Sequence, residues 1–148
     1  MPIRPENKAR YPKDWPAISR AIRDRAGNRC EDCGIENYAL GARRKDGHWM
    51  KAQPTGTDGL RVTWPKPGEW AWCGDGVTEG TARLKVARIV LTVAHLDHQP
   101  ENCDPSNLRA WCQRCHNRYD AGMRAQGIKD RKREAAAVGD LFCDPVSL

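Results

Sequence analysis

The sequence predicts a small α+β domain held together by a structural zinc ion, and three observations carry that prediction. Two Cys-x-x-Cys pairs stand far apart in the chain, Cys30/Cys33 and Cys112/Cys115. One run, Leu84 to Val93 (LKVARIVLTV), is β-branched and largely apolar, as a core strand requires. Helical periodicity occurs on both sides of this material. At 148 residues the chain has the length of one domain. Only 39% of it is hydrophobic and Phe142 is its single phenylalanine, so the core is small and a metal staple would complement it.

Taken in order, residues 1–13 are polar and basic, with Pro2, Pro5 and Pro12, and read as an extended arm. Asp14 is placed to cap a helix that tolerates Pro16 in its first turn. Ile18, Ala21, Ile22 and Ala26 recur at helical spacing, and Gly27 is the expected C′ residue. The helix delivers the chain to Cys30-Glu31-Asp32-Cys33-Gly34, a knuckle whose tight turn Gly34 relieves. Residues 36–83 are rich in glycine and proline and read as an insertion of ordered loops or β-hairpins, with strand-like pieces at Leu60–Trp64 and Trp70–Cys73. Its tryptophans (Trp49, Trp64, Trp70 and Trp72) suit either a small local core or stacking on bases. Alternation along the main strand places Ile89, Leu91, Val93, His95 and Asp97 on one face. Turn signals surround Cys103, a helix is expected from about Cys112 to Met123, and a charged helix from Lys129 to Val138 follows Gly127.

The two Cys pairs share a two-residue gap, and four thiolates satisfy a closed tetrahedral zinc site. Cys73, Cys103 and Cys143 have no such spacing and read as ordinary thiols, as His48 reads as an ordinary histidine. Seven cysteines are an odd number for a disulfide framework, and MPIRPENKARYPKDW has no apolar run of the signal-peptide kind. A reducing cytoplasm is therefore expected. No stretch nears 18 consecutive apolar residues, so no membrane partner is expected. The balance of 25 Lys+Arg against 19 Asp+Glu, net +6, favours a polyanion.

The pattern Cys-x-x-Cys-Gly, a long gap, strand-His-Leu-Asp, then Asn-Leu-x-x-x-Cys-x-x-Cys-His resembles the HNH endonuclease family. The resemblance covers residues 28–34 and 89–120 directly, and the helix before the knuckle is similar to the lead-in of many small bacterial and phage members. It implies a ββα-metal (treble-clef) core over 84–123, braced by a Cys₄ zinc and flanked by the 14–34 helix and knuckle and the 124–148 helix and tail. It further implies metal-dependent hydrolysis of DNA, by nicking or double-strand cleavage, in a bacterial or phage-infected cell.

Under that resemblance His95 matches the general base, Asn107 the residue that fixes the base's loop or helps to ligate the metal, and His116 a ligand for Mg²⁺ or another divalent ion. Phosphodiester hydrolysis needs such a base and such a charge. Asp120 lies i+4 from His116 and can face the same ion. Many family members carry Asp or His just before the base, where this chain has Ala94. Asp97 or His98 are the available substitutes, and a register with His98 as base and Asp97 as ligand shortens the spacing to Asn107 from twelve positions to nine. Arg20, Arg23, Arg29, Lys129, Arg131 and Arg133 are the expected phosphate contacts. Ala94 also sustains an alternative: a non-catalytic zinc module that binds nucleic acid or a partner protein.

Overall fold

The computed structural model describes residues 5–77 and 80–141; the remaining residues, with Cys143 and Phe142 among them, lie outside the described residues. The fold is mixed α+β, with small sheets. The chain divides into two compact units near the start of the second helix, at Gln113/Arg114.

In the first unit, Pro5–Arg10 forms a 3₁₀ turn rather than an extended arm. Helix α1 (Trp15–Arg25) follows, with Pro16 in its first turn. The Asp14 carbonyl, not its carboxylate, accepts the first helical bonds, from the Ala17 and Ile18 N–H groups at 2.8 and 3.1 Å. Gly27 ends the helix at φ +61°, the left-handed conformation that a C′ glycine supplies. The apolar face runs through Trp15, Ile18, Ile22 and Ala26. Ala21, expected on it, is exposed, and Ser19 is buried in its place.

The middle of the chain folds into three small antiparallel assemblies. Strands β1 (Leu40–Arg43) and β2 (Trp49–Lys51) pair with each other, and β3 (Gly56–Asp58) pairs with β4 (Arg61–Thr63). Strand β5 (Trp70–Cys73) pairs with β6 (Ala82–Lys85), and β7 (Ala87–Arg88) adds to the other edge of β1. The β1–β2–β7 and β5–β6 sheets share a core of Ala42, Met50, Ala52, Ala71, Cys73 and Val86, whereas β3 and β4 are exposed throughout. Gly41 allows β1 and β2 to close, since a Cβ there would sit 2.2 Å from the Met50 carbonyl oxygen. The tryptophans do not build this core: Trp64, Trp70 and Trp72 are exposed.

The single long strand expected over Leu84–Val93 is three strands. After β6 and β7 the chain enters β8 (Leu91–His95), which pairs along its whole length with β9 (Leu108–Cys112). Each piece serves a different sheet, and Val86, buried between β6 and β7, exchanges backbone bonds with Gly68 and Glu69 instead of continuing a ladder. A β-branched run thus marks strand content without marking where one partner gives way to the next. Strand β9 falls where a turn was expected to lead directly into a helix. Its alternating burial, with Leu108, Ala110 and Cys112 fully covered, is a strand signal within only five residues. Helix α1 packs on β8 and β9 through Ile22, Leu108 and Ala110.

Across the unit boundary α2 (Gln113–Tyr119) follows β9, and α3 (Ala121–Leu141) makes up most of the second unit. The expected interruption at Gly127 is absent. The helices part at Asp120 instead, where Asp120 N–H still bonds the His116 carbonyl (3.0 Å) and Arg124 N–H the Asp120 carbonyl (3.0 Å). One glycine costs about 1 kcal/mol in a helix, too little to break a 21-residue one.

Candidate metal centre and histidine loop

The knuckle is a tight turn made by the backbone. Gly34 sits at φ +70° and its N–H donates to the Cys30 carbonyl at 2.8 Å, while Cys30 N–H reaches the Ile35 carbonyl at 2.9 Å. Glu31 then joins the knuckle to β9: its N–H donates to the Ala110 carbonyl (2.9 Å), and its carboxylate accepts from Ala110 N–H and from Arg25. Arg25 also donates to the carbonyls of Pro105 and Leu108 at 2.7 and 2.8 Å, so α1, knuckle and β9 share one guanidinium.

These contacts gather the sulfurs of Cys30, Cys33, Cys112 and Cys115 within 4.8 Å of one another. Cys33 Sγ and Cys112 Sγ are 3.7 Å apart. That is far beyond a disulfide and close to the roughly 3.8 Å edge of a tetrahedron with metal–sulfur bonds of about 2.3 Å. No disulfide joins the described cysteines. Cys112 N–H donates to Cys30 Sγ at 3.3 Å, and the Arg43 guanidinium lies 3.7 Å from Cys112 Sγ and 3.9 Å from Cys33 Sγ. Such donors offset the negative charge that four thiolates bring to a divalent ion. Burial pushes the Cys30 thiol up, so its thiolate requires compensation of this kind. Four close cysteines can hold a metal ion here, and the set fits a structural zinc.

At the far end of the β8–β9 hairpin, Asn107 organises the connecting loop. Its side-chain N–H₂ donates to Asp97 Oδ1 and to the Asn102 carbonyl, both at 2.9 Å, and its Oδ1 accepts from Asp97 N–H at 3.1 Å. Asp97 also accepts from Gln99 N–H (2.9 Å) and the Asn102 amide (2.7 Å). Led by the Asn107 bond, these contacts hold the Asp97 carboxyl down at about 2. His98, half-buried, lies beyond the strand at φ +58°.

His95 ends β8, opposite Leu108, and is only 8% exposed. Its ring stacks on Trp15 (5.0 Å, 21°) and meets the edge of Tyr11 (5.8 Å, 70°), and Nε2 lies 3.8 Å from Cys103 Sγ. Burial lowers its pKa, against the opposing pull of Asp97 and Glu101, so the neutral imidazole is favoured at neutral pH. Arg10 anchors the N-terminal turn to the loop through two bonds to Glu101, at 2.6 and 3.0 Å. Ala94, on the opposite face of β8, is 2% exposed. In the second unit, His116 Nε2 lies 3.4 Å from Asp120 Oδ2, with each side chain 20% exposed.

The phosphate-contact candidates differ in what they already hold. Arg23 donates to Ser19 Oγ (2.6 Å) and Arg29 pairs with Glu36, whereas Arg20 is exposed on α1. Lys129, Arg131 and Arg133 are exposed on α3. Helical geometry puts Lys129 and Arg133 on one face and turns Arg131 away. The sequence reading missed Tyr11, Trp15, Arg25, Glu31, Arg43 and Cys103. Only Trp15 had a visible signal, since it extends the Ile18/Ile22 stripe by one turn. No helix is long and apolar enough to cross a membrane. Comparison with models of known protein families, with curated proteins and with solved structures found no match.

Proposed function

We propose that this chain is a metal-dependent endonuclease of the HNH type, with a zinc-braced ββα-metal core, that hydrolyses DNA phosphodiester bonds. The observation that carries the reading is Asn107. It ties together the loop that follows the strand bearing His95, which supports the positioning role among the two the resemblance offers it. His95, neutral at working pH, is the group that takes a proton from water. His116 and Asp120 supply nitrogen and oxygen donors one helical turn apart: the carboxylate suits Mg²⁺, and the imidazole beside it suits a transition-metal divalent ion such as Ni²⁺. The chemistry such an ion provides when bound is neutralisation of charge on the phosphate and leaving oxygen. Asp97, with its carboxylate engaged by Asn107, Asn102 and Gln99, serves the loop rather than the ion. Arg20, Lys129 and Arg133 are the best placed of the phosphate contacts.

The burial of His95 favours a second reading. A base must meet water, and this ring lies under Trp15 and Tyr11. A zinc module that binds DNA without cutting it has the same cluster and uses His95 only for packing. Plasmid cleavage by wild type, His95→Ala and His98→Ala, across Mg²⁺, Mn²⁺ and Ni²⁺, separates the two. Cleavage lost in His95→Ala alone, with zinc content and DNA binding kept, establishes the base. Cleavage lost only in His98→Ala moves it, and folded, zinc-loaded wild type that leaves the plasmid intact supports the binding module.

A further inference from the structure

The β5–β6 hairpin has two faces of opposite character. Register pairs Trp70 with Lys85, Ala71 with Leu84, Trp72 with Arg83 and Cys73 with Ala82. Residues directly opposite each other in an antiparallel pair project to the same side. One side, with Ala71, Cys73, Ala82 and Leu84, faces the apolar core. The other therefore carries Trp70, Trp72, Arg83 and Lys85 and nothing else from either strand. Trp70 is 61% exposed and Trp72 56%, and both cations are exposed. Burying two such rings would remove far more apolar surface from water than burying the alanines and cysteine that point inward. Folding leaves them outside all the same.

We infer that this face is a binding surface for single-stranded nucleic acid, with Trp70 and Trp72 stacking on unpaired bases and Arg83 and Lys85 holding the flanking phosphates. The rings stand about 6.7 Å apart along the strand, two residues at the extended rise. That spacing suits successive nucleotides of an extended strand. In a duplex the faces of the bases are covered by their neighbours, so the rings have nothing to stack on. Each ring has a cation directly across the hairpin, and every nucleotide offers the matching pair, a π-face and a phosphate. Among the described residues, neither Arg83 nor Lys85 is engaged in an ion pair. Glu69, next to Trp70 in the chain, turns its carboxylate back to accept from Lys66 N–H at 2.8 Å. The site stands on the hairpin alone and does not depend on whether the chain cuts DNA.

The test is fluorescence anisotropy with the full chain, without added divalent ion, using labelled oligo(dT) and a mixed-sequence duplex of equal length. Wild type is expected to prefer the single strand. Trp70→Ala and Trp72→Ala should each weaken that binding about 5- to 140-fold, the effect of losing one base stack. Trp70→Phe and Trp72→Phe, which keep a ring, should retain most of it. Arg83→Gln with Lys85→Gln should flatten the logarithmic salt dependence by about 1.4, from about 0.7 per charge on a single strand. Equal affinity for duplex and single strand, or unchanged oligo(dT) binding in Trp70→Ala/Trp72→Ala, overturns the inference. So does binding retained by the single strand but lost equally in the Phe and Ala variants, because stacking would then not be its source. All six substitutions are at exposed positions, and circular dichroism with metal analysis confirms that each variant is folded before binding is compared.

Discussion

The β8–β9 hairpin and the sheets between β1 and β7 place their aromatic rings in opposite ways. In the hairpin region Trp15 lies inward against His95, beside a small apolar cluster centred on Ile22, Leu108 and Ala110. In the other region a core of Ala, Met, Cys and Val closes without help, and Trp70 and Trp72 are left outside. The first region relies on directional contacts: the Asn107 bonds, the Arg25 fork and four converging sulfurs. The second relies on tight packing of small side chains. Regions of these two kinds should fail differently when perturbed.

The largest effect is expected from Cys112→Ser, which removes one fully buried sulfur of the four that could hold a metal ion. Structural zinc supplies about 10–16 kcal/mol in small zinc-folded peptides. Elemental analysis should show loss of bound metal, and hydrogen exchange should rise most in β8 and β9. Next come Leu108→Ala and Met50→Ala, one in each core, each costing about 2–5 kcal/mol. Because residues 82–95 belong to both regions, both variants should lower one shared calorimetric transition. Two separate transitions would divide the molecule into independent folding units.

Asn107→Ala should cost about 2 kcal/mol from three lost bonds, confined to the loop. Faster amide exchange at Asp97 with unchanged metal content is the signature. The smallest effect is acid loosening of that loop. The Asp97 carboxyl sits at about 2, below its ordinary 3.8, so its contribution is complete above about 4 and is lost as pH falls toward 2. Proton exchange at Gln99 N–H against pH reads it. Loosening that begins as pH falls below 6.5, the ordinary imidazole value, would instead implicate the buried, pKa-lowered His95.

The sequence revealed what local chemistry dictates. The Cys-x-x-Cys spacing, the glycines at +61° and +70°, helix α1 and strand β5 were all legible, though the Asp14 side-chain cap expected for that helix does not form. It concealed what depends on partners distant in the chain. LKVARIVLTV carries strand propensity throughout, yet only pairing with β5, β1 and β9 in turn divides it. Trp15 stacked on His95 is a contact across 80 positions, beyond any periodic pattern. Arg43 beside the Cys33 and Cys112 sulfurs reads in sequence as one more surface cation. The alternation Trp70-Ala71-Trp72-Cys73 was legible as a strand, but which side it buried was not, because the large apolar residue is the one left out.

Where the middle segment leaves the rest of the first unit and returns to it, the two ends are stitched together. Tyr38 N–H donates to the Ile89 carbonyl (2.8 Å), Ile89 N–H to the Ala39 carbonyl (2.9 Å), and Leu91 N–H to the Asn37 side chain (3.0 Å). Some fifty residues therefore begin and end at nearly one point, and the entropy of closing so long a loop is offset at its neck. The arrangement makes the segment modular. Excising residues 40–88 and joining Ala39 to Ile89 through a short turn would shorten the chain by a third without stretching it. A lone cost to the metal cluster would travel with the excised piece, since Arg43 goes with it.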